Sequence, residues 1–350
     1  MIAAGGTGGH VYPALAVAEV LRSRDVPVIW LGTRTGLEAR VVPAAGIDIE
    51  WVNVSGLRGK NFRDTLVAPL KLVQSLAQAW KIFRRWRPRA VLGMGGFVAG
   101  PGGLMALLFR LPLVIHEQNS VAGLTNRLLS RFARRVFTAF PNVFNATIGE
   151  EQIGNPVRDD LENLSSPVDR MQHEDNFRLL VVGGSRGARR LNEIVPAALA
   201  NTDLPLQVRH QTGSAEQSMT QQRYAEYAGA VEVVPYIEDM AEAYGWADIM
   251  ICRAGAMTVS ELTAAGLASI LIPYPHAVDD HQRSNALWLV QAGAATMIAE
   301  DELDADVLVD KLEALCRDRQ TLVGMAARAR ELHRPGAAER VADALLEEAA

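Results

Sequence analysis

Three times in this chain a short apolar run breaks into a glycine cluster and then into a helix-forming stretch: GGTGGH (5–10), GMGG (93–96) with GPGG (100–103), and GGSRGA (183–188). Each cluster lies between an expected strand and an expected helix. That unit repeats in parallel α/β domains, because a parallel strand is rejoined through a crossover helix. PVIWLG (27–32), AVLGMGG (90–96) and LPLVIHEQN (111–119) read as short buried strands entering polar or glycine turns. ALAVAEVLRSR (14–24) reads as a helix with Pro13 in its first turn, where a missing N–H costs nothing. The pattern restarts at RLLVVGGSRGARRLNEIVPAALA (178–200). It continues through ADIMICRAGAMTVSELTAAG (247–266) and ASILIPYP (268–275) to a closing helix at 337–350.

After GNPV (154–157), the stretch RDDLENLSSPVDRMQHEDNF (158–177) is charged, carries Ser and Pro, and has no apolar period. It reads as a linker or surface excursion at a domain boundary. A chain of 350 residues exceeds one ordinary core, so two domains are expected. The fold class is α/β: two doubly wound parallel-sheet domains facing a cleft, with ligands beyond the carboxyl ends of the strands. The opening strand, Met1 to Ala4, is a stub, which suggests a natural start further upstream.

Charge divides the chain. Residues 1–157 carry 18 Lys and Arg against 9 Asp and Glu, while residues 158–350 carry 17 against 31. The first half is therefore suited to an anionic partner such as phosphate, nucleic acid or a membrane surface; the bland reading is basic residues solvating helix faces. Cys252 and Cys316 each sit in an apolar run with no CxxC, as buried reduced thiols of a cytoplasmic protein do. No stretch approaches the ~18 apolar residues of a membrane span. No signal peptide precedes the first glycine loop, so secretion is not expected.

Glycine lets backbone amides approach an anion with no Cβ in the way, and a following helix N-terminus adds favourable partial charge. Tight αβ packing also uses glycine, so the repetition carries the argument for phosphate. A dinucleotide fingerprint is absent: counting from Gly6 and Gly8, the third glycine position holds Val11, and no acid ends the next strand at Leu31–Gly32–Thr33. No GxxxxGK[ST] occurs either. Phosphate binding survives these tests; NAD binding and P-loop hydrolysis do not.

In the second half, RAGAMTVSELTAAG (253–266) puts Gly255, Ala256, Met257 and Thr258 where a helix begins. Glu261, one turn on, is placed to accept both hydroxyls of a ribose. The competing reading is a capping box, Thr258 to Glu261. HAVDDHQRSN (276–285) exposes Asp280, His281 and Gln282, side chains suited to sugar hydroxyls or to a solvated loop.

GGTGGHVYPALA, SGLRGK (55–60), GMGGFVAGPGG (93–103), HEQN (116–119), GNPVR (154–158), GGSRGA and RAGAMTVSE occur in this order along the whole chain. Together they resemble the inverting N-acetylglucosaminyltransferases of GT-B fold that form lipid II in bacterial peptidoglycan synthesis. The resemblance implies transfer of N-acetylglucosamine from UDP-N-acetylglucosamine to the muramyl 4-hydroxyl of lipid I, on a pyrophosphoryl-undecaprenol carrier. It implies an acceptor- and membrane-binding domain, 1–157 joined by the helix at about 337–350, and a donor domain, 158–336. It also implies a peripheral protein of cell wall biogenesis at the cytoplasmic face of the inner membrane, with other cell-wall synthesis proteins as partners. No cofactor, metal or nucleic acid is expected.

Carried over by residue, the resemblance places Thr7, Gly8, Gly9 and Asn119 at the transferred sugar, and Arg158 and Ser185 at the nucleotide and its phosphates. The Ile237 backbone would meet uracil. Ala256, Met257 and Thr258, continuing into Val259 and Ser260, would cradle the diphosphate, Glu261 the ribose, and His281 and Gln282 the sugar. Gly8, Gly9, Gly95 and Gly96 would hold the acceptor pyrophosphate. Two positions depart from the family pattern: Arg186 replaces the usual glutamine of GGSQGA, and His281 replaces one of a glutamine pair. The catalytic base stays open between His10, whose imidazole class titrates near neutrality, and Glu117. Asp304–Ala305–Asp306 resembles a metal-binding DxD but opens an amphipathic segment, where acids favour a helix start.

A UDP-sugar 2-epimerase of the same fold is the alternative, with no use for a membrane-facing half; a two-domain solute-binding protein would need an export signal. Within 66–89, Leu66, Leu70, Val73, Ala77 and Trp80 recur at helical spacing and are expected mostly to pack on the sheet. Arg84, Arg85, Arg87 and Arg89 follow, beside Trp80, Phe83 and Trp86, as a candidate contact with lipid headgroups.

Overall fold

The computed structural model describes residues 1–54, 62–173, 176–184 and 187–350, and for 62–70 and 278 the backbone alone. SGLRGK, Ser185 and Arg186 lie outside the described residues, as do the side chains of Leu66 and Leu70. The chain forms two compact units: Met1–Val157 with Arg334–Ala350, and Arg158–His333.

The first unit's strands are β1 (Ile2–Ala3), β2 (Ile29–Gly32), β3 (Asp48–Trp51), β4 (Val91–Gly93), β5 (Leu113–Glu117), β6 (Arg135–Thr138) and β7 (Glu151–Gln152). Their order is β3-β2-β1-β4-β5-β6-β7, every described pairing parallel. The two-residue β1 nonetheless lies inside the sheet, paired on both sides. In the second unit β8 (Phe177–Val182), β9 (Leu206–Gln211), β10 (Ala230–Val234), β11 (Ile249–Cys252), β12 (Ala268–Leu271) and β13 (Ala295–Met297) form a second parallel sheet, ordered β10-β9-β8-β11-β12-β13. In each sheet the order reverses once, between β1 and β4 and between β8 and β11. There the connections leave to opposite faces and open a crevice beyond the strand ends.

Both faces of the first sheet are covered, as a parallel sheet requires. On one, Val11, Ala14, Val17 and Leu21 of the helix Gly8–Ser23 pack with Val341, Ala342 and Leu345 of the closing helix Ala337–Ala349. On the other, Ala79, Ile82 and Phe83 meet Ala3, Leu31, Val91 and Met105.

Four expectations change. The first helix begins at Gly8 with Thr7 as its cap, so Pro13 stands in the second turn rather than the first. The GPGG cluster is not a loop: its glycines lie in the helix Ala99–Leu108. A Cβ at Gly102 would stand 2.7 Å from the Ala3 Cβ, so glycine serves close helix–sheet packing there. Nor is 158–177 a solvated linker. It forms the short helices Asp159–Glu162 and Pro167–Arg170, buries Leu161 and Met171, and lets Arg170 donate to the Ala265 and Gly266 carbonyls. Too few apolar residues occur there to show a period; Leu161, Pro167 and Met171 fall inward while Val168 stays exposed.

The fourth change concerns the helix Phe62–Trp86. Its buried face is Ser75, Ala79, Ile82 and Phe83, while Val73, Ala77 and Trp80 are exposed, so the stripe expected on the sheet points outward. Arg84 stacks over Trp80, and Glu50 takes both Arg85 and the Trp86 indole N–H. Leu104, Leu108, Leu124, Leu128 and Phe132 add exposed apolar side chains on the same unit. Among the described residues no helix is long and apolar enough to cross a membrane.

Leu161→Ala tests the reassigned segment. Truncating a fully buried leucine should lower unfolding stability by about 2–5 kcal/mol in urea titrations, against nearly nothing for a leucine in a solvated linker.

Candidate active site

In the first unit the candidate residues lie on loops beyond the carboxyl ends of β1, β4 and β5. Gly6 has φ +101°, exposed Thr7 caps the helix with no side-chain bond, and Gly8, Gly9 and His10 form the first turn. The His10 and Val11 amides donate to the Thr7 carbonyl at 3.1 and 3.2 Å, which leaves those of Gly8 and Gly9 without an intrahelical acceptor. The loop is held from outside by Glu38, fully buried, whose carboxylate accepts from Gly6 N (2.9 Å), Thr33 N (3.0 Å) and Thr33 Oγ1 (2.7 Å). Glu38 was not legible as a loop anchor, since it belongs to neither glycine cluster.

The loop after β4 closes against the first. Gly95 and Gly96 both have positive φ, and a Cβ on Gly96 would run into the Gly5 carbonyl oxygen. A Cβ on Gly95 would stand 3.0 Å from the His10 ring. These glycines therefore have a packing duty in addition to any role toward an anion.

HEQN separates into unlike side chains. Glu117 is buried, and its carboxylate accepts from Asn119 N (3.1 Å), Gly123 N (3.1 Å) and Asn126 Nδ2 (2.9 Å). Both oxygens are engaged in shaping the loop that carries Asn119. His10 is half-buried, with Nδ1 2.8 Å from Gln118 Oε1. Gln118 and His116, both fully buried, continue inward to the Gly154 carbonyl.

In the second unit the loop after β11 leads into the helix Ala256–Ala265, capped by Gly255 without a side-chain bond. Thr258 is thus the third helical residue and Glu261 the sixth. The capping-box reading fails, because that box needs Thr258 at the cap. Glu261 instead accepts from Tyr244 Oη at 3.0 Å. Burial pushes the Glu261 carboxyl above its ordinary range, while the Tyr244 hydrogen bond and the Arg158 charge pull the other way. Met257 and Thr258 remain partly exposed at the helix mouth; Ala256, Val259 and Ser260 are buried, and Val259 N donates to the Gly255 carbonyl.

Around this helix the other candidates differ in freedom. The Arg158 side chain is half-exposed, 3.9 Å from Asp160. Ile237 lies between β10 and the helix Met240–Trp246, partly buried. Gln282 accepts from Tyr274 N at 2.9 Å and, with His281, opens the helix His281–Gln291 after two residues, Asp279 and Asp280, at positive φ. Ser185 lies outside the described residues; beside it Gly187 has φ +73° and a Cβ there would collide with the Thr212 carbonyl. Asp304 caps the helix Ala305–Cys316, accepting from Val307 N at 2.8 Å, so the DxD is a helix start. Both cysteines are free and buried, Cys316 pushed up to about 12 by burial.

Comparison with known proteins now gives the family. Residues 1–138 match the glycosyltransferase family 28 N-terminal domain and residues 178–342 its C-terminal domain. The chain belongs to glycosyltransferase family 28. Among its relatives is the UDP-N-acetylglucosamine–N-acetylmuramyl-(pentapeptide) pyrophosphoryl-undecaprenol N-acetylglucosamine transferase of Nitrosococcus oceani, 53% identical over 99% of this chain and 98% of that one. The Methylococcus capsulatus protein of the same name is 54% identical over 100% and 98%. The crystal structure of Acinetobacter baumannii MurG superposes with TM-score 0.88 at 41% identity, covering 99% of each chain. A kitacinnamycin glycosyltransferase at 17% identity and TM-score 0.72 shares the fold. Both units of this family 28 chain are the Rossmann-like domains of the GT-B fold.

Proposed function

We propose that this family 28 enzyme transfers N-acetylglucosamine from UDP-N-acetylglucosamine to the muramyl 4-hydroxyl of undecaprenyl-pyrophosphoryl-muramyl pentapeptide, giving lipid II with inversion at the anomeric carbon. Full-length identity above 50% to relatives named for that transfer carries the reading. The 2-epimerase alternative loses its ground, since those relatives are transferases over their whole length.

In the mechanism, His10 Nε2 takes the hydroxyl proton as the oxygen attacks the anomeric carbon and UDP departs from the opposite face. Glu117 is the poorer base because three donors already occupy its oxygens. The Gly8 and Gly9 amides and Gly95–Gly96 serve the acceptor pyrophosphate, with Thr7 and Asn119 toward the sugar. On the donor side, the first-turn amides of Ala256, Met257 and Thr258 face the leaving diphosphate and Arg158 adds positive charge, a preorganised stabilisation of the departing anion. Glu261 takes the ribose hydroxyls, Ile237 the uracil, and His281 and Gln282 the sugar. The deciding experiment is UDP release. It should require a lipid-linked muramyl acceptor, and His10→Ala should lower kcat roughly 10²–10⁴-fold with donor KM little changed. Acceptor-independent turnover would remove the assignment.

Glu261 gives a pH test with a definite sign. Its carboxyl is raised in the free protein by burial, and two ribose hydroxyls bond more strongly to the ionised form, which accepts at both oxygens, than to the acid, which accepts mainly at one. Donor binding should therefore release a proton and weaken as pH falls through that raised value. Glu261→Gln should flatten this dependence, and Glu261→Ala should weaken UDP binding by about 2 kcal/mol. Titration calorimetry in buffers of different ionisation enthalpy reads both.

We further infer that the first unit docks peripherally on the anionic bilayer that holds its acceptor. Exposed Arg84, Arg85, Arg87 and Arg89 adjoin the outward Leu72, Val73 and Trp80. Each basic residue near such a surface contributes about 1 kcal/mol, giving salt-sensitive, reversible binding. Reversing the four arginines to glutamate should abolish binding to phosphatidylglycerol vesicles and spare activity on a short-chain acceptor. Persistent binding would move the membrane face to Leu108, Leu128 and Phe132.

A further inference from the structure

We propose that Gln118, clamped by His116, is a positioning residue that holds His10 in the tautomer protonated on Nδ1, leaving the Nε2 lone pair as the proton-accepting atom. The inference rests on His10 as the base and adds what makes that imidazole competent. Only one of its two neutral tautomers can accept a proton at Nε2.

The assignment runs outward from a buried carbonyl. Gly154 O can only accept, so His116 Nε2, 2.8 Å away, must donate. Burial pushes the His116 imidazole down to about 4, so near neutrality the ring holds one proton, the one on Nε2. His116 Nδ1 then offers a lone pair, and the Gln118 Nε2 amide group donates to it at 3.1 Å. The other amide hydrogen goes to the His116 carbonyl at 3.0 Å. With both hydrogens committed, the atom that Gln118 presents to His10 is Oε1, at 2.8 Å from Nδ1. A carbonyl oxygen only accepts, so the His10 proton is on Nδ1. Flipping the amide would aim Oε1 at a carbonyl oxygen and an imidazole lone pair together.

The surroundings keep the chain in place. Asn155 Nδ2 donates to the Gln118 carbonyl at 3.1 Å, fixing its backbone, and Gly95 lies against the His10 ring with no room for a side chain. When His10 takes the second proton at Nε2, the Nδ1–H bond to Gln118 persists and becomes charge-assisted. One contact therefore selects the reactive tautomer and supports the imidazolium that follows. A histidine without such a partner divides between its tautomers, since each nitrogen's state is set by what the other meets.

The test combines ¹⁵N NMR of the histidine-labelled full chain with kinetics on UDP-N-acetylglucosamine and a short-chain lipid-linked muramyl acceptor. His10 is assigned by its loss from the spectrum of His10→Gln. Neutral His10 in the wild type should show the Nδ1–H pattern. Gln118→Met should shift the pattern toward Nε2–H and lower kcat about 10–100-fold, with donor KM within about twofold. Gln118→Glu, which keeps an acceptor opposite Nδ1, should restore the Nδ1–H pattern and part of the turnover. An Nε2–H pattern in the wild type overturns the proposal with no variant needed. So does Gln118→Met with an altered tautomer and full kcat, or with reduced kcat and an unaltered tautomer. Full kcat in His10→Ala removes the base reading instead, a separate failure visible with an unchanged wild-type spectrum.

Discussion

The first unit's candidate site depends on one backbone contact, the approach of Gly96 to the Gly5 carbonyl. It brings the loops after β1 and β4 together at the point where the sheet order reverses. A single Cβ there would force them apart. Separation would unseat the His10 ring from Gly95 and break its alignment with Gln118, which arrives from the end of β5. Elements far apart in sequence, 5–10, 93–96 and 116–119, become one surface only because no side chain intervenes.

Two buried carboxylates complete that surface from behind. Glu38 gathers Gly6 and Thr33, and Glu117 gathers Asn119, Gly123 and Asn126, so each ties an otherwise mobile turn to the strand ends. A buried carboxylate is tolerable only when donors surround it, and breaking such a cluster costs several kcal/mol. This arrangement explains why an acid in a glycine-rich site need not be a catalyst. Its lone pairs must be counted first, and at Glu117 three donors already share the two oxygens.

The strand–turn–helix alternation and the break near residue 157 were legible because period and glycine placement are local properties. Glu261 was legible as either a cap or a ligand, and a three-residue shift in the helix start decided against the cap. What escaped was set by tertiary burial. GPGG reads like a loop, yet Gly102 is helical because the helix must pass close to Ala3. The stripe through Val73, Ala77 and Trp80 has the right period for a core face, but the face through Ala79, Ile82 and Phe83 is the one the sheet receives. Periodicity fixes that a helix has sides and not which side is covered. The His116–Gln118 chain escaped for a related reason: no sequence spacing announces a hydrogen bond that spans from residue 10 to residue 118.

Glycine count alone cannot separate packing from anion binding, since most of these glycines pack. Gly96 meets Gly5, Gly102 meets Ala3, and Gly187 meets Thr212. The distinction lies in the amides. Gly6 N is taken by Glu38, and Gly187 N by the Gly184 carbonyl. The helices at Gly8 and Ala256 begin from caps whose side chains accept nothing from the first turn, although Ser, Asp or Asn at a cap is the common and more stabilising choice. In the same chain Asp239, Asp304 and Asp318 cap their helices in the ordinary way. A capping side chain would occupy the donors an anion needs. At these two helix mouths no cap side chain takes that place, at a local cost of a few tenths of a kcal/mol where the cap is Gly255, and the geometry is the one an anion at a helix N-terminus requires.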